Sequence, residues 1–326
     1  MTGENYDLSN INGLIKCIIL PPQQLLFPVL PVKMHNRLLF PLCRTCAENN
    51  IQEDCPHEDP GDRELFGTWT SLELQEAVTE NYKIIKIYEI WDYETVQYDP
   101  ESREGGLFAG YINNLFTKKV EASGFPEGCE SEEDKLKFVR EVQEAEGVTL
   151  DYTKIKKNPA LRTINKLALN CLWGKFGMRN NLTRTDIVKS RGELLKLIND
   201  EEKQILGILP IDDTQLYVNW CNEEPYVSAN PVTNVVIASQ TTALARLKLL
   251  RCLRKLGDRV AYYDTDSIIF ISRGSENEYI PPLGNSLGEL TDELQSYGVG
   301  SYATEFVAAA DKFYGLKIVA PDNSVQ

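Results

Sequence analysis

The 326-residue chain has no run of about eighteen apolar residues, which excludes a helix that spans a membrane. Its first residues form neither a secretory signal nor an Arg-rich transit segment, although an earlier start would hide either one. No internal repeat and no low-complexity tract interrupts it. Eight cysteines in a chain of this size do not read as a disulfide framework and fit an intracellular setting; nucleus, mitochondrion and virus-infected cell are all compatible. An excess of positive charge is also missing. The net charge of −14 runs against a nucleic-acid partner taken over the whole surface. Charge is nevertheless segregated. Residues 127–146 carry Glu127, Glu130, Glu132, Glu133, Asp134, Glu141, Glu144 and Glu146. Lys154, Lys156, Lys157, Arg162, Lys166, Lys175, Arg179, Arg184 and Lys189 then face only Asp151 and Asp186. A basic lining within an acidic body is compatible with gripping phosphates locally. With 42% hydrophobic residues the chain buries a substantial core and divides into more than one subdomain.

What is present begins with Tyr262-Tyr263-Asp264-Thr265-Asp266-Ser267. The runs Arg259 to Tyr263 and Ser267 to Ile271 are rich in β-branched and aromatic residues and read as antiparallel strands with the aspartates at the tip. Side chains two apart on an extended segment share a face, so Asp264 and Asp266 reach one divalent ion. Oxygen-only ligands suit magnesium, which takes one or two carboxylates together with substrate phosphates. Asp-Thr-Asp alone serves equally well as turn chemistry. A second stretch, Asn158 to Gly177, opens on Pro159 in the first turn of a helix and sets Arg162, Lys166 and Asn170 along one face. Leu161, Ile164, Leu167, Ala168 and Leu172 occupy the other face as core material. A Lys and an Arg one turn apart neutralise a triphosphate and hold it in line for attack; a solvated basic face is the simpler alternative. A third stretch, Asp311-Lys312-Phe313-Tyr314, follows the run Tyr302 to Ala310.

In this order the three motifs resemble those of family B DNA polymerases: the fingers-helix motif, the palm hairpin Tyr-x-Asp-Thr-Asp-Ser, and Lys-x-Tyr. Lys166, Asn170 and Gly174 match the fingers pattern, while Cys171 and Trp173 replace its Ser and Tyr. Thr117 to Gly124, Trp173 to Gly177, Asn230-Pro231-Val232 and Thr241 to Leu247 bring the resemblance closest to the protein-primed branch and its relatives in viruses, organellar plasmids and self-synthesising DNA transposons. The resemblance implies an α+β, right-hand polymerase fold in part: an antiparallel palm sheet, helical fingers and the start of a thumb, without an exonuclease domain. It implies DNA-directed DNA synthesis on a primer-template from deoxynucleoside triphosphates, with two magnesium ions and a terminal priming protein as a candidate partner. Asp266 is then the essential metal ligand and Asp264 a supporting one. Arg162 and Lys166 hold the triphosphate, Asn170 and Gly174 shape the pocket of the nascent pair, and Trp173 packs on that pair. Tyr262, Lys312 and Tyr314 steady the DNA. A reverse transcriptase would carry adjacent aspartates, unlike Asp264-Thr265-Asp266.

One element of the family pattern is not among the residues. An upstream Asp-x-x-Ser-Leu-Tyr-Pro motif supplies ligands on the far side of metal ions roughly 3.5–4 Å apart. The nearest acidic residue, Asp7, sits in Asp7-Leu8-Ser9-Asn10, which lacks the aromatic residue and the Pro. The chain therefore looks like the C-terminal part of a polymerase, with negligible synthesis expected from it alone. A catalytically dead nucleic-acid-binding remnant is the alternative.

Cys43-Arg44-Thr45-Cys46 followed by Cys55-Pro56-His57 has the first gap of a zinc knuckle, and the four side chains make a tetrahedral thiolate and imidazole set. Buried free cysteines beside a Pro-rich turn are the alternative. The expected organisation is a first palm segment with an insertion over 1–105, including a strand at 82–93. Helical fingers broken at Gly124-Phe125-Pro126 and by the acidic run follow over 106–180. An insertion without strong period before a strand at 214–220 fills 181–229. Palm with a helix over 234–256, its polar side carrying Arg246 and Lys248, and the hairpin occupy 230–275, and a palm-to-thumb junction occupies 276–326.

Overall fold

The computed structural model describes residues 7–99, 101–102, 104–126, 128–275, 277–284 and 288–325; Glu127 of the acidic run lies outside them. In chain order the first elements are β1 (Gly13–Leu20), β2 (Val32–Met34), β3 (Arg37–Leu39), α1 (Arg44–Glu48), α2 (Pro60–Arg63), β4 (Leu65–Thr70), α3 (Ser71–Thr79) and β5 (Lys83–Asp92). Then come β6 (Tyr98–Asp99), β7 (Glu104–Gly105), α4 (Ala109–Ser123), α5 (Glu132–Glu146), α6 (Pro159–Phe176), β8 (Arg184–Val188), α7 (Arg191–Ile198), β9 (Lys203–Asp212) and β10 (Gln215–Asn222). The chain continues through α8 (Val235–Leu256), β11 (Val260–Asp264), β12 (Ser267–Phe270), β13 (Tyr302–Ala310) and β14 (Phe313–Val319). It divides into two units, Met1–Leu169 with Gln240–Gln326, and Asn170–Ser239.

The core of the first unit is built on β1, the central strand of an antiparallel sheet in the order β4-β1-β5. Its sequence alternates burial residue by residue, so Ile15, Cys17 and Ile19 share one face and are fully buried. Leu247, Leu250 and Leu253, at helical spacing on α8, pack in the same cluster, with Leu74 and Ala77 of α3. Each such aliphatic side chain contributes about 1.5–3 kcal/mol through burial. Thr70 and Glu73 form a capping box that starts α3 directly from the end of β4. Glu73 is also paired with Arg246, and Glu76 with Arg254, so charges as well as leucines join α3 to α8. Arg246 was expected on the polar side of its helix; a buried carboxylate on a neighbouring helix draws it inward instead.

Helices α4, α5 and α6 occupy most of 106–180, which was expected to be helical, with one correction. The acidic stretch does not break them: Glu132–Glu146 is α5 itself, started by a capping box between Ser131 and Asp134 and closed by Gly147 at φ +71°. Acidic side chains in its first turn suit the positive end of a helix, which is why the run tolerates its charge. Phe116 of α4 and Val148, Leu150 and Ile155 of the following loop form a small separate core, against which Phe138, Val139 and Val142 of α5 pack.

A second correction concerns 181–229. The structure has a three-stranded antiparallel sheet there, β8-β10-β9, and α7. Only β10 shows clear alternation, with Val218 and Trp220 buried. In β9, Leu206, Ile208, Leu209 and Ile211 are exposed and Pro210 interrupts the run beside a register shift, so no period of two marks it as a strand.

Candidate functional site

The hairpin carrying the two aspartates is short, and its position comes from what surrounds it. Val260 and Ile268 pack against the first unit's core, and the Tyr263 ring meets Phe27 edge-on with centroids 6.1 Å apart. At its base the buried Arg259 pairs with Glu278 at 3.2 Å and donates to the carbonyls of Ile271 and Tyr279. Asp264 pairs in register with Ser267, which leaves Thr265 and Asp266 as a two-residue tip. Asp264 therefore ends a strand while Asp266 lies in the turn, and the two do not share a face through strand periodicity; the chain reverses between them. The reversal is tight. The Asp266 N–H donates to the Asp264 carbonyl at 2.5 Å and Thr265 holds φ +51°. A left-handed conformation is strained for a β-branched residue, at about 1–3 kcal/mol. The Thr265 hydroxyl donates to Asp264 Oδ1 at 2.8 Å and orients that carboxylate, while the Ser267 hydroxyl donates to the Asp264 backbone carbonyl at 3.1 Å and fastens the turn. Asp266 is exposed.

The tip of the β13-β14 hairpin meets this turn. Ala310 pairs with Phe313, leaving Asp311 and Lys312 at the reversal with Lys312 at φ +60°. The Lys312 backbone N–H donates to the Tyr262 hydroxyl at 2.9 Å, and Lys312 Nζ lies 3.4 Å from Asp264 Oδ2. The rings of Tyr262, Tyr314 and Phe306 close a triangle with centroid separations of 5.0, 6.0 and 6.1 Å. Two motifs separated by nearly fifty residues thus form one site. Phe306, the third ring, had no sequence signal to single it out.

A second grouping of charge lies between α4 and α6. The two helices run antiparallel. Tyr111 Oη donates to the Ala168 carbonyl at 3.1 Å, Arg162 Nε to Ser123 Oγ at 3.2 Å, and Asn158 N to the Ala122 carbonyl at 2.8 Å. The buried Glu121 accepts from Asp151 N at 2.8 Å and holds the intervening loop. Asn158 Oδ1 accepts from Leu161 N at 3.1 Å, which caps α6 in front of Pro159. This packing brings Lys119 of α4 to Arg162 and Lys166. Burial first, then the two neighbouring cations, holds the Lys119 ammonium below the ordinary lysine range, with Glu146 opposing the shift. Sequence spacing along α6 found two members of this trio. The third comes from another helix and only packing reveals it.

Sequence reading assigned the remaining face of α6 to the core, and here the structure differs. Leu161, Ile164 and Leu167 are 43%, 61% and 56% exposed, and the buried residue is Asn165, whose amide donates to the Leu161 carbonyl at 2.9 Å. An amphipathic stripe fixes which residues share a face; it does not decide that the face is covered. Asn170, Trp173 and Gly174 continue along α6 in the second unit, all exposed. Among the described residues a Cβ at Gly174 would meet nothing within 4 Å, so none of them requires glycine there.

Cys43, Cys46, Cys55 and His57 also come together, with their ligating atoms within 4.8 Å of one another. Loop spacing alone left a metal set and buried thiols as alternatives; of the three cysteines only Cys43 is buried.

The described residues form a mixed α+β chain of antiparallel sheets and helices, with acidic and cationic groups at separate places. Residues 147–253 match the family of DNA polymerase type B, organellar and viral. The structure of phi29 DNA polymerase complexed with primer-template DNA, a post-translocation binary complex, superposes with a TM-score of 0.54 at 16% identity; the match covers 99% of this chain and 42% of that one. No curated protein matches the chain. Residues 147–253 are thus similar to the organellar and viral type B DNA polymerases, the family that the motifs resemble, and the chain spans less than half the length of the phi29 enzyme.

Proposed function

We propose that this chain forms the primer-terminus and nucleotide-binding portion of a DNA-directed DNA polymerase. The observation that carries the reading is the meeting of Lys312 and Tyr314 with Tyr262 and Asp264, because it joins two motifs whose order alone suggested a common task. The carboxylates of Asp264 and Asp266 are hard oxygen donors at an accessible tip, a set that suits magnesium. When bound, magnesium would stabilise the charge that develops on the oxygens during phosphoryl transfer. Asp266 is the principal ligand and Asp264 the supporting one, its carboxylate oriented by the Thr265 hydroxyl and its backbone by Ser267. Lys312, with an exposed ammonium, steadies the primer phosphate, and the Tyr262–Tyr314 pair presents aromatic surface to the DNA.

Lys119, Arg162 and Lys166 neutralise the incoming triphosphate. Three cations gathered without an equal number of carboxylates repel one another, and a bound polyanion relieves that repulsion. Trp173, Asn170 and Gly174 line the position of the nascent base pair. The open space at Gly174 is where a partner from outside the chain would approach. By analogy, residues 106–180 serve as fingers and 230–275 as palm, and DNA, deoxynucleoside triphosphates and a priming protein are the partners.

The two-metal reaction needs a further carboxylate from an Asp-x-x-Ser-Leu-Tyr-Pro motif, which the 326 residues do not contain. The test is primer extension with magnesium, by this chain and by the longest product of its reading frame. Extension by a product that carries that motif, with loss on Asp266→Ala, supports the proposal. A stop immediately upstream of Met1, together with DNA binding insensitive to Asp264 and Asp266, favours a binding remnant.

A further inference from the structure

We propose that Cys43, Cys46, Cys55 and His57 hold a zinc ion whose task is to fold residues 33–63, a role separate from nucleotide transfer. His57 Nδ1 lies 3.5 Å from Cys43 Sγ, 3.3 Å from Cys46 Sγ and 3.7 Å from Cys55 Sγ. One imidazole nitrogen has one lone pair or one proton and cannot make three hydrogen bonds to three thiols. A shared cation accounts for the arrangement. In a tetrahedron with Zn–S near 2.3 Å and Zn–N near 2.05 Å the nitrogen-to-sulfur edge is about 3.6 Å, within the span of the three observed separations. Three soft thiolates and an imidazole select zinc over magnesium, the reverse of the oxygen donors at Asp264 and Asp266.

The surroundings show what the ion is for. Among residues 31–62 Cys43 is the one buried residue, so this lobe has no buried core of its own and meets the main core only through the partly buried Val32 and Leu42. Its two hairpin strands, β2 and β3, have three residues each, and α1 has five. Small pieces that cannot bury enough apolar surface depend on a cross-link or a metal. The ligands stand where a metal would close the lobe. Cys43 is the N-cap of α1 and accepts from Cys46 N at 3.5 Å, an N–H-to-sulfur bond that orients a ligand. Thr45 Oγ1 donates to the Asp62 carbonyl at 2.8 Å and Arg44 Nη2 to the Gly61 carbonyl at 3.2 Å, which ties α1 to α2. His35 Nε2 lies 3.1 Å from the Ala47 carbonyl, which brings in the β2-β3 turn. The buried Arg63 guanidinium donates to the carbonyls of Pro21, Pro22 and Leu42 and fastens the lobe beside β4. A metal at the four ligands thereby connects the hairpin, both short helices and the sheet.

The experiment is elemental analysis of the full chain purified without added metal, with cobalt substitution and limited trypsin digestion. We expect about one zinc per chain. Cobalt should give thiolate charge-transfer and tetrahedral d–d absorption. Removal of the metal by a chelator should speed cleavage after Arg37 and Arg44, while far-ultraviolet circular dichroism from the rest of the chain is retained and zinc restores protection. The double variant Cys43→Ser/Cys46→Ser should lose the metal and the cobalt spectrum, whereas Cys129→Ser should keep both. Folded chain with no bound metal and no cobalt spectrum overturns the proposal, as does full zinc content in the double variant. Unchanged trypsin sensitivity after chelation overturns the folding role. None of these readouts uses DNA or nucleotide, so their failure is distinct from failure of the polymerase reading.

Discussion

Two short segments of this molecule present metal-ligand side chains, and they are supported in opposite ways. The aspartate hairpin rests on a finished structure: Val260 and Ile268 reach the main core, Arg259 closes its base, and Tyr262 and Tyr263 have aromatic partners. The cysteine-histidine lobe has almost nothing buried beneath it and is joined mainly through its own ligands and hydrogen bonds to carbonyls. On the proposals above, a metal at the first serves chemistry, whereas a metal at the second serves shape. The difference teaches that the donor type and the packing under it, taken together, separate a working ion from a building one.

The contrast is broken most strongly by removing the working carboxylate. In a polymerase product containing these residues, Asp266→Ala should lower nucleotide incorporation by roughly 10²–10³-fold or more with little change in melting temperature, because the exposed tip contributes little packing. A comparable loss of stability, measured by thermal unfolding, would contradict the claim that the hairpin is held from below. Glu73→Ala tests that support from the other side. It removes a capping box and leaves Arg246 without its buried partner, and about 3–5 kcal/mol of stability should be lost in denaturant titration.

Lys119→Met sharpens the comparison in a third way, since its two effects have opposite signs. Charged Lys119 is disfavoured in the fold by burial and by Arg162 and Lys166, with Glu146 partly offsetting them. Its folded pKa lies below its unfolded one, so the charged form works against folding below the depressed value and that penalty fades as pH rises to the ordinary lysine range. The variant should not lose stability, yet it should bind a nucleoside triphosphate roughly tenfold more weakly. In the parent, triphosphate affinity measured by calorimetry should fall on alkalinisation earlier than an ordinary lysine would dictate, and Lys119→Arg should delay the fall. The smallest stability effect is expected from Thr265→Gly. Relief of the positive φ offsets the added chain entropy to within about 1 kcal/mol, while the lost hydroxyl contact to Asp264 loosens a metal ligand.

The elements most legible in the sequence were those whose residues repeat with a period and bury one face. The strand at 83–92 and the helix ending at Gly257 follow from pattern and punctuation, and Pro159 opens α6 as its type suggests. β9 was not legible, because apolar side chains fall on both of its faces and a proline interrupts it. The acidic helix α5 was missed because charge was taken for a breaker, although its Ser131–Asp134 cap was in plain view. At the site, Asp264, Asp266, Arg162 and Lys166 were legible from local spacing. Lys119 and Phe306 reach their partners only through tertiary packing, which no local spacing encodes. The exposed Leu161, Ile164 and Leu167 mark the converse limit, an apolar face that pattern assigned to a core.

The most direct test of the central claim is the affinity of the full chain for fluorescent DNA, measured by anisotropy with and without magnesium. A recessed 3′ end should bind more tightly than blunt duplex or single strand of equal length. Magnesium should strengthen that preference, Asp264→Asn/Asp266→Asn should erase the metal dependence, and Lys312→Ala should reduce the salt slope by about one. Equal affinity for all three DNAs, unaffected by magnesium and by these substitutions, would contradict a primer-terminus site built from the two hairpins.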